Sequence, residues 1–134
     1  MISTVLRLVL ALLYAIAGVL HLVAPRPFLE IMPGGLPFPT EIVFLTGIAE
    51  ILGAAALAQG WSTSLRKAGA IGLGLYAVCV FPANINHFAL EMARPDQGLG
   101  LAYHVPRMIA QPIIVWWALW AGGVTDWPFR RRPH

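Results

Sequence analysis

The sequence predicts an all-α fold, a bundle of four transmembrane helices with both termini in the cytoplasm, and three observations carry that expectation. Of 134 residues, 58% are hydrophobic and only 11% are charged, against about 25% charged in a typical soluble domain. The apolar residues gather into four stretches, each near or above the ~20 residues a helix needs to cross ~30 Å of hydrocarbon. Lysine and arginine divide unevenly between the two sides that those stretches define. The length allows one compact unit, residues 1–134, and no second domain.

The first span covers residues 2–24. Arg7, an apolar run and Ala15-Ile16-Ala17 imitate a signal peptide with its cleavage site, but the apolar run continues to Ala24, so a retained helix is expected. Residues 25–39, APRPFLEIMPGGLPFP from Ala24, hold five prolines and two glycines and cannot be helical throughout. Their Phe28, Leu29, Ile31, Met32, Leu36 and Phe38 suggest a segment lying at the membrane interface against the bundle. The second span, residues 40–58, ends in the polar turn QGWSTS. The third, residues 68–90, is followed by RPDQGLGLAYH, and the fourth covers residues 106–124. Pro82 lies inside the third span, where it removes one backbone bond and favours a kink just before Asn84.

The charge count sets the orientation. Arg7, Arg66, Lys67 and Arg130, Arg131 and Arg132 fall on one side, and Arg26, Arg94 and Arg107 on the other. The richer side faces the cytoplasm. Net charge is +3 and comes largely from the three terminal arginines, a short basic tail of the kind that marks a membrane edge and not a nucleic-acid surface. Cys79 is the one cysteine. It excludes an intramolecular disulfide and with it a dithiol redox cycle within the chain. No nucleophile motif, phosphate loop or dinucleotide fingerprint appears.

Residues three and four apart share a helix face, and each span carries one stripe of small or polar residues: Ala11, Tyr14, Gly18 and His21; Gly47, Glu50, Ala54 and Leu57; Tyr76, Val80, Asn84, His87 and Glu91; and Arg107, Gln111, Ile114, Ala118 and Gly122. Such stripes let membrane helices approach closely. With alternating directions, His21, Asn84, His87, Arg107 and Gln111 fall near the outer side, and Glu50 lies midway along its span. The expectation is a shared polar pocket opening outward with a carboxyl at its floor. A carboxyl at mid-bilayer costs at least ~2.5 kcal/mol to insert, so it faces the interior and has a partner or a task. Glu50 is therefore the candidate catalytic group, with a structural pair to Arg107 as the plainer reading. His21, Asn84, His87, Arg107, Gln111, Tyr14 and Tyr76 are the candidate ligand-binding residues. Asn86 points away from that stripe and reads as interfacial. His21 and His87 suit haem iron as a lesser alternative, and no HxxxH or CxxC spacing supports a metal.

The strings AGVLHLVAPRPFLEIMPGGLPFP, GIAEILGAAALA and FPANINHFA, with the R-x-x-x-Q of PRMIAQP, resemble the DoxX-like family of small bacterial membrane proteins over nearly the whole chain. The resemblance implies a four-helix bundle in the bacterial inner membrane, and His21, Glu50, Pro82, Asn84, Arg107 and Gln111 as matching motif positions. It also implies a link to quinones, since the family takes its name from a subunit of a thiosulfate:quinone oxidoreductase, and other relatives serve membrane redox complexes or the maturation of a redox enzyme. His87 departs from the aliphatic or aromatic residue expected after the FPANI motif, and the proline expected between Arg107 and Gln111 is missing.

Two functions follow as expectations. One is a quinone-interacting or redox-complex subunit in which Glu50 relays protons and a partner subunit supplies electrons, because the chain has no evident electron carrier. The other is a membrane scaffold or small-molecule binder, in which the polar stripes are interhelical glue. Trp116, Trp117 and Trp120 are candidates for a homo-oligomer contact or for lipid contact.

Overall fold

A computed structural model describes residues 1–128, and these form five helices with no strand among the described residues. They are α1 (Ile2–Val23), α2 (Arg26–Glu30), α3 (Pro39–Ala58), α4 (Thr63–Met92) and α5 (Leu101–Ala121). Arg130, Arg131 and Arg132, which weigh heavily in the charge count, lie outside the described residues.

Three of the helices, α1, α3 and α4, are long and apolar enough to cross a membrane. The fourth expected span, α5, has 21 residues, sufficient length, but His104, Arg107, Gln111 and two internal prolines lower its hydropathy. Five helices replace the expected four because the 25–39 segment is not wholly irregular. Pro27 sits in the first turn of the short α2, where its missing N–H costs nothing. Both later long helices begin five residues before their expected starts. α4 opens at Ser62, whose hydroxyl accepts a bond from the Leu65 N–H at 3.2 Å, a side-chain cap that lets polar residues 63–67 join the helix. α5 opens after Gly100, whose φ of +74° only glycine adopts freely. α4 continues unbroken through Pro82 to Met92.

Each long helix packs on the next, and α5 returns to α1, closing a ring. The core is made of Leu10, Tyr14, Leu57, Leu73 and small residues such as Ala11, Ala54, Ala70 and Ala118. Leucines and isoleucines point outward instead: Leu12, Ile16, Leu45, Leu52, Leu75 and Ile109 are all exposed. Apolar outside and small inside is the pattern of a bundle whose solvent is lipid. Trp117 and Trp120 are partly buried against the core.

α1 and α3 approach closely at two glycines. A Cβ at Gly18 would lie 2.7 Å from the Gly47 carbonyl oxygen, and one at Gly47 would lie 2.9 Å from the Gly18 oxygen. The other end of this pair is fastened by Arg7, whose Nη1 donates to the carbonyls of Leu57 (2.8 Å), Ala58 (3.2 Å) and Gln59 (2.9 Å). Those are the acceptors a helix C-terminus leaves unanswered, and a cation there also suits the helix dipole.

Gly18→Leu is accordingly expected to destabilise the bundle by about 1–3 kcal/mol through overpacking, read as a lower unfolding midpoint in detergent. Gly72→Ala is the control: nothing lies within 4 Å of its Cβ position, and it should leave the midpoint unchanged or raise it.

Candidate functional site

A cavity of about 650 Å3 opens between α1, α3, α4 and α5, with the 25–39 segment forming part of its wall. Ile42, Val43, Val80, Ala110 and Ile114 make its apolar lining. Seven of the eight residues expected at the site line it: Tyr14, His21, Glu50, Tyr76, Asn84, Arg107 and Gln111.

On the α1–α3 side the glycine contact determines the chemistry. His21 stands three residues after Gly18 and Glu50 three after Gly47, so the close crossing delivers both side chains to one place. His21 Nδ1 lies 2.8 Å from the Ala17 carbonyl oxygen and 3.0 Å from Glu50 Oε2. A neutral imidazole has at most one proton on that nitrogen, and it points at the Ala17 carbonyl. The Glu50 contact is thus a close approach and not a formed hydrogen bond. Oε2 is left buried without a formed hydrogen bond. An orphaned buried oxygen of this kind is completed by a proton on the carboxyl itself or by a ligand donor. The Tyr76 hydroxyl is 3.3 Å from His21 Nε2, and Tyr14 donates to the Leu73 carbonyl at 3.3 Å. Phe28 stacks on the His21 ring with centroids 3.7 Å apart.

The α4–α5 side is a chain of hydrogen bonds. Gln111 Nε2 donates to the Ala77 carbonyl, Asn84 Nδ2 donates to Gln111 Oε1 at 2.9 Å, and Arg107 Nη2 donates to Asn84 Oδ1 at 2.6 Å. Arg107 Nη1 reaches His87 Nδ1 at 2.8 Å. Arginine only donates, so Nδ1 accepts and a neutral His87 holds its proton on Nε2. That nitrogen faces Glu91 Oε1 at 3.2 Å, while Glu91 Oε2 accepts from His104 Nε2 at 2.8 Å and from the Leu99 N–H at 2.8 Å. Arg107 also lies over the Tyr103 ring, 5.6 Å from its centroid, a cation–π placement.

Three expectations need correction. His87 is not a cavity residue: three positions past Asn84 it is rotated some 60° away, and it faces Glu91 and His104. Glu50 meets His21 and not Arg107, because α1 and not α5 crosses α3 at that depth. Asn86 is not merely interfacial, since its Nδ2 donates to the Ile31 carbonyl at 2.9 Å and ties the 25–39 segment to α4. Sequence reasoning also missed His104, the most buried polar side chain at 1% exposure. Its one signal was Gly100 four residues earlier, a helix start hidden in a glycine-rich loop.

The chain belongs to a family described as a domain of unknown function (DUF8561), which matches residues 10–122. No curated protein and no solved structure matches it.

The tether makes a direct check possible. Asn86→Ala should raise amide hydrogen exchange across residues 28–32 severalfold while leaving exchange within α1 and α3 unchanged, measured by mass spectrometry in detergent.

Proposed function

We propose that this is a multi-pass protein of the bacterial inner membrane, with α5 as its fourth span and both termini cytoplasmic, whose cavity binds a small hydrophobic ring compound of the quinone type. The observation that carries the reading is the orphaned Glu50 oxygen in a largely apolar cavity, opposite a wall of amide and guanidinium donors. The volume lies within the ~300–1,000 Å3 of small-molecule sites, and so does the composition, apolar walls with a few convergent polar groups. A quinone asks for flat apolar surroundings and donors at two carbonyl oxygens. Arg107, Asn84 and Gln111 offer donors from α4 and α5, and His21 with Tyr76 offers a proton-bearing pair beside Glu50.

Reduction of a quinone takes two electrons and two protons. In this reading Glu50, oriented by His21 and Tyr76, hands one proton to the nearer ring oxygen, and the second proton reaches the other oxygen from water at the open mouth of the cavity. The electrons come from a partner redox subunit, and the DoxX-like resemblance supports such a partnership. The outer side of the membrane is then the side of the 25–39 and 93–100 connections, from which the cavity is reached. Haem held by His21 and His87 is not favoured, since the two imidazoles belong to different clusters.

The scaffold reading rests on its own observation: Asn84, Gln111 and Arg107 already bond one another across α4 and α5, as interhelical glue would. Ligand binding separates the two. Purified protein titrated with a short-chain quinone should bind it, and Glu50→Gln or Arg107→Ala should weaken binding at least tenfold with the unfolding midpoint little changed. Unchanged affinity in both variants, or variants that lose stability while no quinone shifts the midpoint, would favour the scaffold. Reporter fusions test the topology, and a C-terminal reporter active only in the periplasm contradicts it.

A further inference from the structure

A second cluster lies away from the cavity, where the end of α4 meets the start of α5. His87 and Glu91 stand one turn apart on α4, and His104 sits in the first turn of α5. One ligand-capable atom from each comes together, all within 4.8 Å of one another. We propose that His87 Nε2, the Glu91 carboxylate and His104 Nε2 form a binding site for a divalent transition-metal ion of the zinc class, a function separate from the cavity.

The donor set comes first. Two imidazoles and one carboxylate suit borderline ions such as Zn2+. Bonds of ~2.0–2.2 Å in tetrahedral geometry place ligand atoms about 3.3 Å apart. Here His87 Nε2 is 3.2 Å from Glu91 Oε1, His104 Nε2 is 2.8 Å from Glu91 Oε2, and one ligand atom from each residue lies within 4.8 Å of the others, so side-chain adjustment alone brings the three to tetrahedral spacing.

The cluster is also held in place from several sides. His104 is enclosed by the rings of Phe88 and Tyr103, at centroid distances of 5.3 and 5.1 Å. The 93–100 connection closes over the carboxylate so tightly that a Cβ at Gly98 would lie 2.5 Å from the Glu91 carboxyl carbon, and the Leu99 N–H fixes one oxygen. His87 and Glu91 keep 16% and 13% of their side-chain surface, which leaves an entry path and room for a water as a fourth ligand.

Tautomers make the proposal specific. An imidazole that binds a metal through Nε2 carries its proton on Nδ1. In His104 the proton that Nε2 donates to Glu91 moves to Nδ1, which is buried with no hydrogen-bond partner, so the ion must outweigh an unmet donor there. His87 loses a bond as well, because Arg107 donates to its Nδ1 at 2.8 Å. Metal entry therefore moves the His87 proton from Nε2 to Nδ1 and breaks the Arg107 contact. Arg107 lines the cavity, so the ion and the cavity wall compete for one hydrogen bond. Without an ion, the Glu91 carboxylate is satisfied by N–H groups of His87, His104 and Leu99, and that purely structural role is the alternative to be tested.

The test uses the full chain in detergent, without a polyhistidine tag, stripped by chelator and titrated with Zn2+ or with Co2+ as an optical probe. One ion per chain is expected, with Co2+ absorption of nitrogen- and oxygen-ligated tetrahedral type. His87→Ala and His104→Ala should each weaken it at least tenfold. Arg107→Gln should tighten it about tenfold, the scale of outer-shell effects on metal affinity, by releasing the His87 tautomer. No stoichiometric binding, or binding that survives both histidine substitutions, overturns the site, and unchanged affinity in Arg107→Gln overturns the competition. Should the buried His104 variant fail to fold, 15N NMR of the wild-type imidazoles replaces it. Zn2+-induced shifts at the Nε2 of His87 and His104 support the site, and shifts confined to other histidines, or none, overturn it.

Discussion

The backbone contact between Gly18 and Gly47 is the constraint on which the rest of the site depends. In lipid, apolar side chains gain little by leaving their surroundings for a helix interface, so helices associate through close packing and through polar groups. Two facing glycines permit an approach that no side chain would allow. One turn further along each helix that approach sets His21 against Glu50. The Cβ position of Gly47 falls 2.8 Å from the His21 Cβ, and that of Gly18 falls 3.1 Å from the Glu50 Cβ, so the crossing and the carboxyl–imidazole pair are one geometric event. The site on α1 and α3 is a by-product of how tightly the two helices lie together.

The opposite wall obeys a different logic. Arg107 has no lone pair to offer, so every neighbour must turn an acceptor toward it, and the orientation of Asn84, Gln111 and His87 follows in sequence from that one residue. A network with a single self-consistent arrangement is rigid, and a rigid polar wall beside an apolar cavity is what fixed ligand orientation needs. The two walls also differ in how complete they are. Bonds on the α4–α5 side are made, whereas the Glu50 oxygen on the α1–α3 side lacks one.

How much of this was legible in the sequence depended on contrast. The stripes of α1 and α3 were readable because His21 and Glu50, ionisable groups far from their helix starts, each stand three residues after a glycine, and the buried residues there include every member of both stripes. On α4 the stripe traced back from Asn84 through Val80 and Tyr76 missed the buried face, which runs through Ala70, Leu73, Gly74 and Ala77. Residues 68–75 of that helix are alanine, glycine, leucine and one isoleucine on every side, and periodicity is silent when core and lipid accept the same residues. The helix starts at Ser62 and Gly100 were hidden for a local reason: polar or glycine-rich turns and first turns of helices share a composition. The links from Asn86 to Ile31 and from Glu91 to Leu99 join side chains to loop backbone, and no residue pattern announces a backbone acceptor or donor.

The arginine on α1 that answers the carbonyls of Leu57, Ala58 and Gln59 at the end of α3 has a bearing on where that helix can end. A helix terminus ordinarily needs water, which obliges it to emerge fully from the hydrocarbon. With its final acceptors satisfied by a neighbour's guanidinium, α3 can stop within the headgroup layer and turn back through four residues without exposing bare peptide groups to fat. A bundle closed in this way at one rim tolerates changes in bilayer thickness there, and whatever adjustment a thinner or thicker membrane demands is left to the opposite rim, where the connections are longer.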